Sequence, residues 1–301
     1  MAILTLNSHV AYGYVGNSAA VFALRRLGLS TWPVHTVELS NHPGYGAYTG
    51  RIVPAAEIRE LVDGLAAREV LGRCTAVLSG YLGAADQGDE VLRAVAAVRA
   101  ARPAATYVLD PVMGDAGPGL YVAPDIVTFF RDHAVPTADV VTPNAFELAT
   151  LTGMPVTDVS AALTAARALM ERGPRRVVAT SLDLDRDTLG VLAATADGDA
   201  WLARVPRLVF PIPPNGAGDL LSALLTAHLS GGESLPTALG RAVDAVDAIL
   251  RTTLRTGGRE LALLRAQDAL ICTNRAKFTD PHGSDRALAP PRRVSVETLA
   301  E

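Results

Sequence analysis

The chain has 301 residues, of which 49% are hydrophobic and 19% charged, and its formal net charge is −4. This composition is typical of a globular domain, and the slightly acidic balance excludes the basic surface of a nucleic-acid-binding or polybasic membrane-binding protein. Charged residues or glycines interrupt the apolar runs before they reach about 18 residues, so we predict no membrane-spanning helix. The N-terminus lacks the positive region of a signal peptide, and Cys74 and Cys272 have no metal-ligand spacing. We therefore expect a cytoplasmic protein with two inert thiols.

Short apolar strands alternate with helical patterns along most of the chain. The predicted strands are residues 3–6, 31–37, 76–78, 107–109, 140–141 and 176–179. The predicted helices between them are residues 17–27, 56–66, 89–101, 145–151 and 160–170. Such alternation is typical of an α/β fold, a three-layer sandwich in which helices cover both faces of a mostly parallel sheet.

The last third of the chain has a different pattern. Residues 188–194 and 200–204 flank Asp197-Gly198-Asp199 and predict a hairpin at the sheet edge. Two long helices are predicted after it, at 216–229 and 235–255. Residues 274–301 are rich in Pro, Arg and Asp, which predicts a flexible tail behind a single domain of residues 1–273.

The strongest local motif is Asn215-Gly216-Ala217-Gly218-Asp219 at the start of a predicted buried helix. Its glycines allow close approach of a ligand, and the free N–H groups of the first helical turn suit a transferring phosphoryl group. A carboxylate would repel a phosphate there, so Asp219 makes sense as a base that takes a proton from an attacking hydroxyl group. The structural alternative is that Asp219 only complements the helix dipole.

Two further motifs place carboxylates at the ends of predicted strands, where ligands bind in open α/β sheets. Asp110-Pro111-Val112-Met113-Gly114-Asp115 follows one strand, and Thr142-Pro143-Asn144-Ala145-Phe146-Glu147 follows the next. Oxygen ligands such as Asp110, Asn144 and Glu147 suit a Mg²⁺ ion that bridges to phosphates. The alternative for Asn144 and Glu147 is a helix-capping arrangement.

Together with three earlier segments, these motifs resemble the pyridoxal kinases of the ribokinase-like superfamily. The earlier segments are Ser8-His9-Val10 with Gly13-Tyr14-Val15-Gly16-Asn17, then Ser40-Asn41-His42, then Leu78-Ser79-Gly80-Tyr81-Leu82-Gly83. The resemblance runs from residue 2 to about residue 270, with the motifs in the same order. It implies a ribokinase-like fold and a cytoplasmic homodimer that transfers the γ-phosphate of ATP to the 5′-hydroxymethyl group of pyridoxal.

The resemblance also implies residue roles. Asp219 is the implied base, and Gly216, Ala217 and Gly218 supply backbone donors. The implied substrate-binding residues are Ser8, Pro43, Gly44 and Tyr81, besides Asp219. The implied ATP-binding residues are Asp110, Tyr121, Thr142, Glu147, Thr180, Ser181, Arg204, Val205, Pro206 and Arg207. Mg²⁺ is expected at Asp110, Asn144 and Glu147, with ATP as co-substrate and a monovalent cation as a further candidate.

The sequence departs from the family pattern at two positions. Pro43 stands where the family usually has Thr, and it offers neither a hydroxyl group nor an N–H. Asn215 replaces a residue that is commonly Val or Thr. Two alternatives therefore stay open: a hydroxymethylpyrimidine kinase of the same superfamily, and a catalytically weak protein that binds B6 vitamers or nucleotides.

Overall fold

The computed structural model describes residues 1–271 and 294–299, and a ten-stranded sheet forms its centre. The strands in chain order are β1 (Ala2–Tyr12), β2 (Ser30–Asn41), β3 (Gly50–Ile52), β4 (Cys74–Ser79), β5 (Thr106–Leu109), β6 (Gly114–Asp115), β7 (Gly119–Leu120), β8 (Val140–Val141), β9 (Arg176–Asp183), β10 (Thr188–Thr195), β11 (Ala200–Pro206) and β12 (Val296–Thr298). Only β6 and β7 lie outside the main sheet, as a small separate hairpin.

Six adjacent parallel strands make up the middle of the sheet, in the order β9-β8-β5-β4-β1-β2. Antiparallel strands complete both edges, with β3 beside β2, and β10, β11 and β12 beyond β9. The predicted α/β class, the six predicted parallel strands and the predicted hairpin are confirmed.

Helices cover both faces of this sheet. They are α1 (Asn17–Arg26), α2 (Ala55–Ala67), α3 (Asp86–Ala101), α4 (Pro124–Phe129), α5 (Val135–Thr137), α6 (Ala145–Thr152), α7 (Val159–Met170), α8 (Ala217–Ser230) and α9 (Leu235–Thr256). Within residues 1–271 and 294–299, none of the helices is long and apolar enough to cross a membrane.

The core has two sides because successive side chains of a strand point to opposite faces. On β1, Ile3 packs with α1 and α8, through residues such as Leu24 and Ala223. Its neighbour Leu4 belongs to the cluster on the other face, with Ile58 of α2 among its members. Both faces of the central strands are buried, which explains why their sequences are almost continuously apolar.

The C-terminal segment corrects the sequence prediction in part. Residues 296–298 form an edge strand, in which Val296 lies opposite Ala203 of β11, so this part of the predicted tail is wrong. Val294 and Val296 pack on the cluster that contains α9, and this contact outweighs the polar composition around them. Residues 272–293, including Cys272, and residues 300–301 lie outside the described residues.

The strand order reverses at β1, and this reversal positions the site. The chain leaves β1 through α1 to β2 on one side, while β4 lies on the other side. In open α/β sheets, ligands bind where adjacent strands diverge in this way, beyond their carboxyl ends. Here the loops after β1, β5 and β8 contact the first half of α8, and the loop after β4 contacts Asn7 of β1.

Candidate active site

The start of α8 is built on Gly216. Gly216 has a φ of 90°, in the left-handed region, and a Cβ there would collide with the carbonyl oxygen of Tyr14. Only glycine fits this position. No atom comes within 4 Å of the point where Gly218 would carry a Cβ, so the helix start stays open. The first N–H groups of a helix have no acceptor within it, and those of Ala217 and Gly218 can therefore bind an anion.

Asp219 lies in the first turn of α8 and is partly buried. Its Oδ1 accepts a hydrogen bond of 2.9 Å from the side-chain amide of Asn7, in the middle of β1. Burial raises the pKa of Asp219, while hydrogen bonds from the Gly16 backbone and from Asn7 act in the opposite direction. The carboxylate is thus held by donors that favour its charged form.

Asp110 follows β5 and is joined to α8. Its Oδ2 accepts a hydrogen bond of 2.8 Å from the Ser222 hydroxyl, whose oxygen lies 2.8 Å from the Thr142 hydroxyl. The pKa of Asp110 lies well above its usual value because the side chain is buried and because Glu147 and Asp219 add negative charge nearby. Three carboxylates therefore share one electrostatic environment.

Glu147 and Asn144 form the capping box of α6. Asn144 Oδ1 accepts from Glu147 N at 2.8 Å, and Glu147 Oε2 accepts from Asn144 N at 2.8 Å. Glu147 Oε1 accepts from Met113 N at 3.0 Å, and Asn144 Nδ2 donates to the carbonyl of Gly114 at 2.8 Å. Burial nevertheless raises the pKa of Glu147 to about 8. The capping alternative is confirmed, and the cap engages the side-chain amide of Asn144, which was also predicted as a metal ligand.

The donor set favours a hydrated cation over a fully ligated one. In the described part of the chain, no group of three or more His, Cys, Asp or Glu side chains is arranged to hold a metal ion. The buried carboxylates of Asp110 and Glu147 also have no salt bridge to a basic side chain within those residues. Buried carboxyl groups without a basic partner fit Mg²⁺, whose charge would favour their ionised form and which keeps several of its waters and bridges to phosphates.

The predicted substrate residues Ser8 and Tyr81 lie together beside Asp219. Their backbone N–H groups both donate to Asn7 Oδ1, at 2.7 and 2.9 Å. A Cβ on Gly16 would collide with the Ser8 hydroxyl, so the loop before α1 is tightly packed against Ser8. Asn7 therefore connects the predicted substrate residues to Asp219, the predicted base, and the sequence motifs did not include it.

The loop after β2 holds the other two predicted substrate residues. Pro43 and Gly44 are exposed in a short turn, Pro43–Tyr45, that begins at His42. The Tyr45 hydroxyl donates to Glu260 Oε1 at 2.6 Å, and the Arg259 guanidinium stacks 3.7 Å from the centre of the Tyr45 ring. Arg259 also donates to the carbonyl of Gly44.

Comparisons with known proteins agree with this geometry. Residues 72–263 match the phosphomethylpyrimidine kinase family. The pyridoxal kinase PdxY of Rubrobacter xylanophilus is 48% identical over 302 residues, which cover 99% of this chain and 97% of the relative. The pyridoxal kinase PdxY of Leifsonia xyli is 46% identical over 271 residues, 89% of this chain and 95% of the relative. The chain belongs to the pyridoxal kinase family.

A solved structure of the family carries ligands. The pyridoxal kinase from Leishmania donovani in complex with ADP and pyridoxamine superposes with a TM-score of 0.88 and 30% sequence identity, over 99% of both chains. The ribokinase-like fold predicted from the sequence is therefore confirmed.

The implied nucleotide residues of this pyridoxal kinase family member fall into two groups. Thr180 N donates to Pro143 O at 2.9 Å, and Tyr121 N donates to Met113 O at 3.0 Å, so both lie against the loops that carry Asp110 and Glu147. Thr142 belongs to the same group through Ser222. Ser181, the residue after Thr180, has a φ of 58° and is exposed.

The second group, residues 204–207, lies at the edge of the sheet. Arg204 pairs with Glu297 at 2.9 Å, and Arg207 pairs with Asp183 near the end of β9. Val205 and Pro206 lie opposite Leu189 and Thr188 of β10. Within the described residues, no hydrogen bond or salt bridge joins this group to Asp110 or Glu147. Its assignment to ATP stays a prediction.

Proposed function

We propose that this protein is a pyridoxal kinase that transfers the γ-phosphate of ATP to the 5′-hydroxymethyl group of pyridoxal, with Asp219 as the catalytic base. The observation that carries this proposal is the position of Asp219. It is a carboxylate held by neutral donors at a helix start whose free N–H groups suit a phosphoryl group. Relatives of 42–48% identity that share this chain's length are pyridoxal kinases.

The mechanism follows from what these residues can do. Asp219 accepts the proton of the hydroxymethyl group as the oxygen attacks phosphorus, so the nucleophile gains charge only as the bond forms. The N–H groups of Gly216, Ala217 and Gly218 stabilise the charge that develops on the transferred phosphoryl group. Ser8 and Tyr81 flank the acceptor, because both lie next to the base through Asn7. Phosphoryl transfer needs mainly such positioning and charge stabilisation.

ATP and Mg²⁺ fit the carboxylate side of the site. Asp110 and Glu147 would hold Mg²⁺ through its waters, and the ion would neutralise charge on the β- and γ-phosphates. Thr142, Thr180 and Tyr121 lie against the same loops and would border the nucleotide. A monovalent cation next to them, a homodimer and a cytoplasmic location are further parts of this proposal.

Hydroxymethylpyrimidine is the second candidate acceptor, because the family model that matches residues 72–263 describes a phosphomethylpyrimidine kinase. That matched range contains Asp110, Glu147 and Asp219, which serve phosphoryl transfer to either acceptor. The segments that resemble pyridoxal kinases specifically, around Ser8 and residues 40–42, lie before it. They favour pyridoxal.

The test is ADP release with Mg-ATP and a panel of pyridoxal, pyridoxine, pyridoxamine and hydroxymethylpyrimidine. We expect turnover with pyridoxal and formation of pyridoxal 5′-phosphate. Turnover of hydroxymethylpyrimidine without any B6 vitamer would make the second candidate correct. Binding of all ligands without ADP release would favour the weak binding protein and contradict the assignment of Asp219.

A further inference from the structure

Asn7 is a buried amide at the centre of the site. It is 2% exposed, and the register between β1 and β2 shifts directly after it, between Asn7 and His9. A Cβ on Gly80 would collide with its side-chain amide, so the end of β4 packs directly on it. A polar side chain buried this deeply must satisfy its hydrogen bonds within the protein.

The contacts of Asn7 fix which way its amide points. Its Oδ1 accepts the backbone N–H groups of Ser8 at 2.7 Å and of Tyr81 at 2.9 Å. Backbone N–H groups can only donate, so the oxygen of the amide must face them. The amide nitrogen therefore faces Asp219, where it donates to Oδ1 at 2.9 Å.

We propose that Asn7 is the positioning residue of the base. It orients the Asp219 carboxylate so that Oδ2 is the oxygen that receives the proton of the acceptor hydroxyl. Because the same amide holds the backbone at Ser8 and Tyr81, it also sets the distance between the base and the acceptor-binding segments. The second part rests on the proposed function, whereas the orientation of Asp219 is independent of which acceptor is used.

The electrostatics give this contact a second effect. Asp110 follows β5 and Glu147 lies in α6, and the negative charges of Glu147 and Asp219 raise the pKa of Asp110. The donors that face Asp219 are the Asn7 amide and the Gly16 backbone, both neutral. Loss of the Asn7 donor would leave the Asp219 carboxylate with one hydrogen bond fewer, so the base would be protonated at higher pH.

The first variant is Asn7→Asp, which keeps both accepted hydrogen bonds but replaces the donated one with a second carboxylate beside Asp219. We expect kcat to fall by about 10- to 150-fold, the value of a hydrogen bond to a charged group. The acid limb of the pH profile of kcat/KM should also move to higher pH. Asn7→Leu removes the donor without adding a charge, so it separates the two effects; it should also lower kcat and move the acid limb to higher pH.

Gln87→Glu is the matched control. Gln87 is another fully buried amide that accepts two backbone N–H groups, from Gly83 and Ala84, but its nitrogen donates to the carbonyls of Thr36 and Val53. The Gln87→Glu variant should have a lower melting temperature, but the acid limb of its pH profile of kcat/KM should not move. An acid limb that stays in place in Asn7→Leu, or that moves equally in Gln87→Glu, would overturn the proposal. All variants are assayed on whichever acceptor the wild-type protein phosphorylates, so a wrong acceptor assignment does not affect the result.

Discussion

The ionised form of Asp219 is unfavourable for folding, but the proposed role as a base needs it. Burial raises its pKa, so the ionised carboxylate costs folding free energy at any pH above that value. Asp219→Asn keeps an oxygen that can accept from Asn7, but it cannot take a proton. We expect turnover to fall by about 10²-fold or more, since positioned bases contribute roughly 10²–10⁴-fold. The melting temperature at neutral pH should hold or rise, because the buried charge is gone.

Turnover, ATP affinity by calorimetry and melting temperature are measured on one preparation. ATP should bind at least as tightly as before, because a negative charge near the phosphates has been removed. A loss of turnover smaller than tenfold would make Asp219 a structural residue of α8.

Individual residues of the site differ in how well the sequence predicts them. Asp219, Glu147 and Asp110 could be predicted because each lies in a motif next to a strand end or a helix start. Asn7 lies inside a strand, 212 positions from the carboxylate that it contacts. No local pattern predicts such a pair, because it exists only once the fold brings β1 next to α8.

At the scale of elements, the loop after β2 is tied to the segment after α9. Tyr45 and Arg259 stack, and the Tyr45 hydroxyl donates to Glu260, which also accepts from the backbone of Tyr14 through Oε2. Gly44 belongs to the same turn and receives Arg259 on its carbonyl. The Arg259–Glu260 segment therefore determines where the predicted substrate turn lies.

Tyr45→Phe removes one hydroxyl from this arrangement and keeps the ring under Arg259. We expect the KM for pyridoxal to rise about 2- to 10-fold with kcat little changed, since a net hydrogen bond is worth about 0.5–1.5 kcal/mol. Steady-state kinetics measure this split. Tyr48→Phe is the control, because Tyr48 is in the same loop but its hydroxyl has no hydrogen-bond partner among the described residues. Equal effects of the two substitutions would show that the Glu260 contact does not position the turn.

The elements themselves were predicted well where periodicity was strong. The starts of the central strands and both ends of the helices of residues 145–151 and 235–255 match the structure within a residue or two, whereas β1, β2 and β9 run several residues beyond their predicted ends. The helix α4 and the strands β3 and β12 were missed because each is short and its hydrogen bonds depend on partners far along the chain. Composition alone assigned residues 296–298 to a tail.

On the scale of the whole molecule, β12 completes one edge of the sheet. Val296 packs toward α9, where one of its methyl groups would lie 3.3 Å from a Cβ on Gly240, while its neighbour Glu297 pairs with Arg204 on the exposed side. Val296→Asp puts a charge into a partly buried apolar cluster, and we expect a loss of about 1–3 kcal/mol in stability.

Thermal unfolding measures this loss, with Glu297→Ala as the control. An exposed ion pair contributes about 0–1 kcal/mol, so Glu297→Ala should change the melting temperature little. If both variants melt like the wild-type protein, β12 adds nothing to the stability of the sheet.

The same edge has a consequence for biosynthesis. β11 is synthesised some ninety residues before β12, the strand that covers it. Until residues 296–298 have been synthesised, the outer N–H and C=O groups of β11 are unpaired, and another nascent chain can add a strand there. A chain that is cut or stalled before residue 296 should therefore tend to self-associate through this edge, even though every residue of the catalytic machinery has already been made.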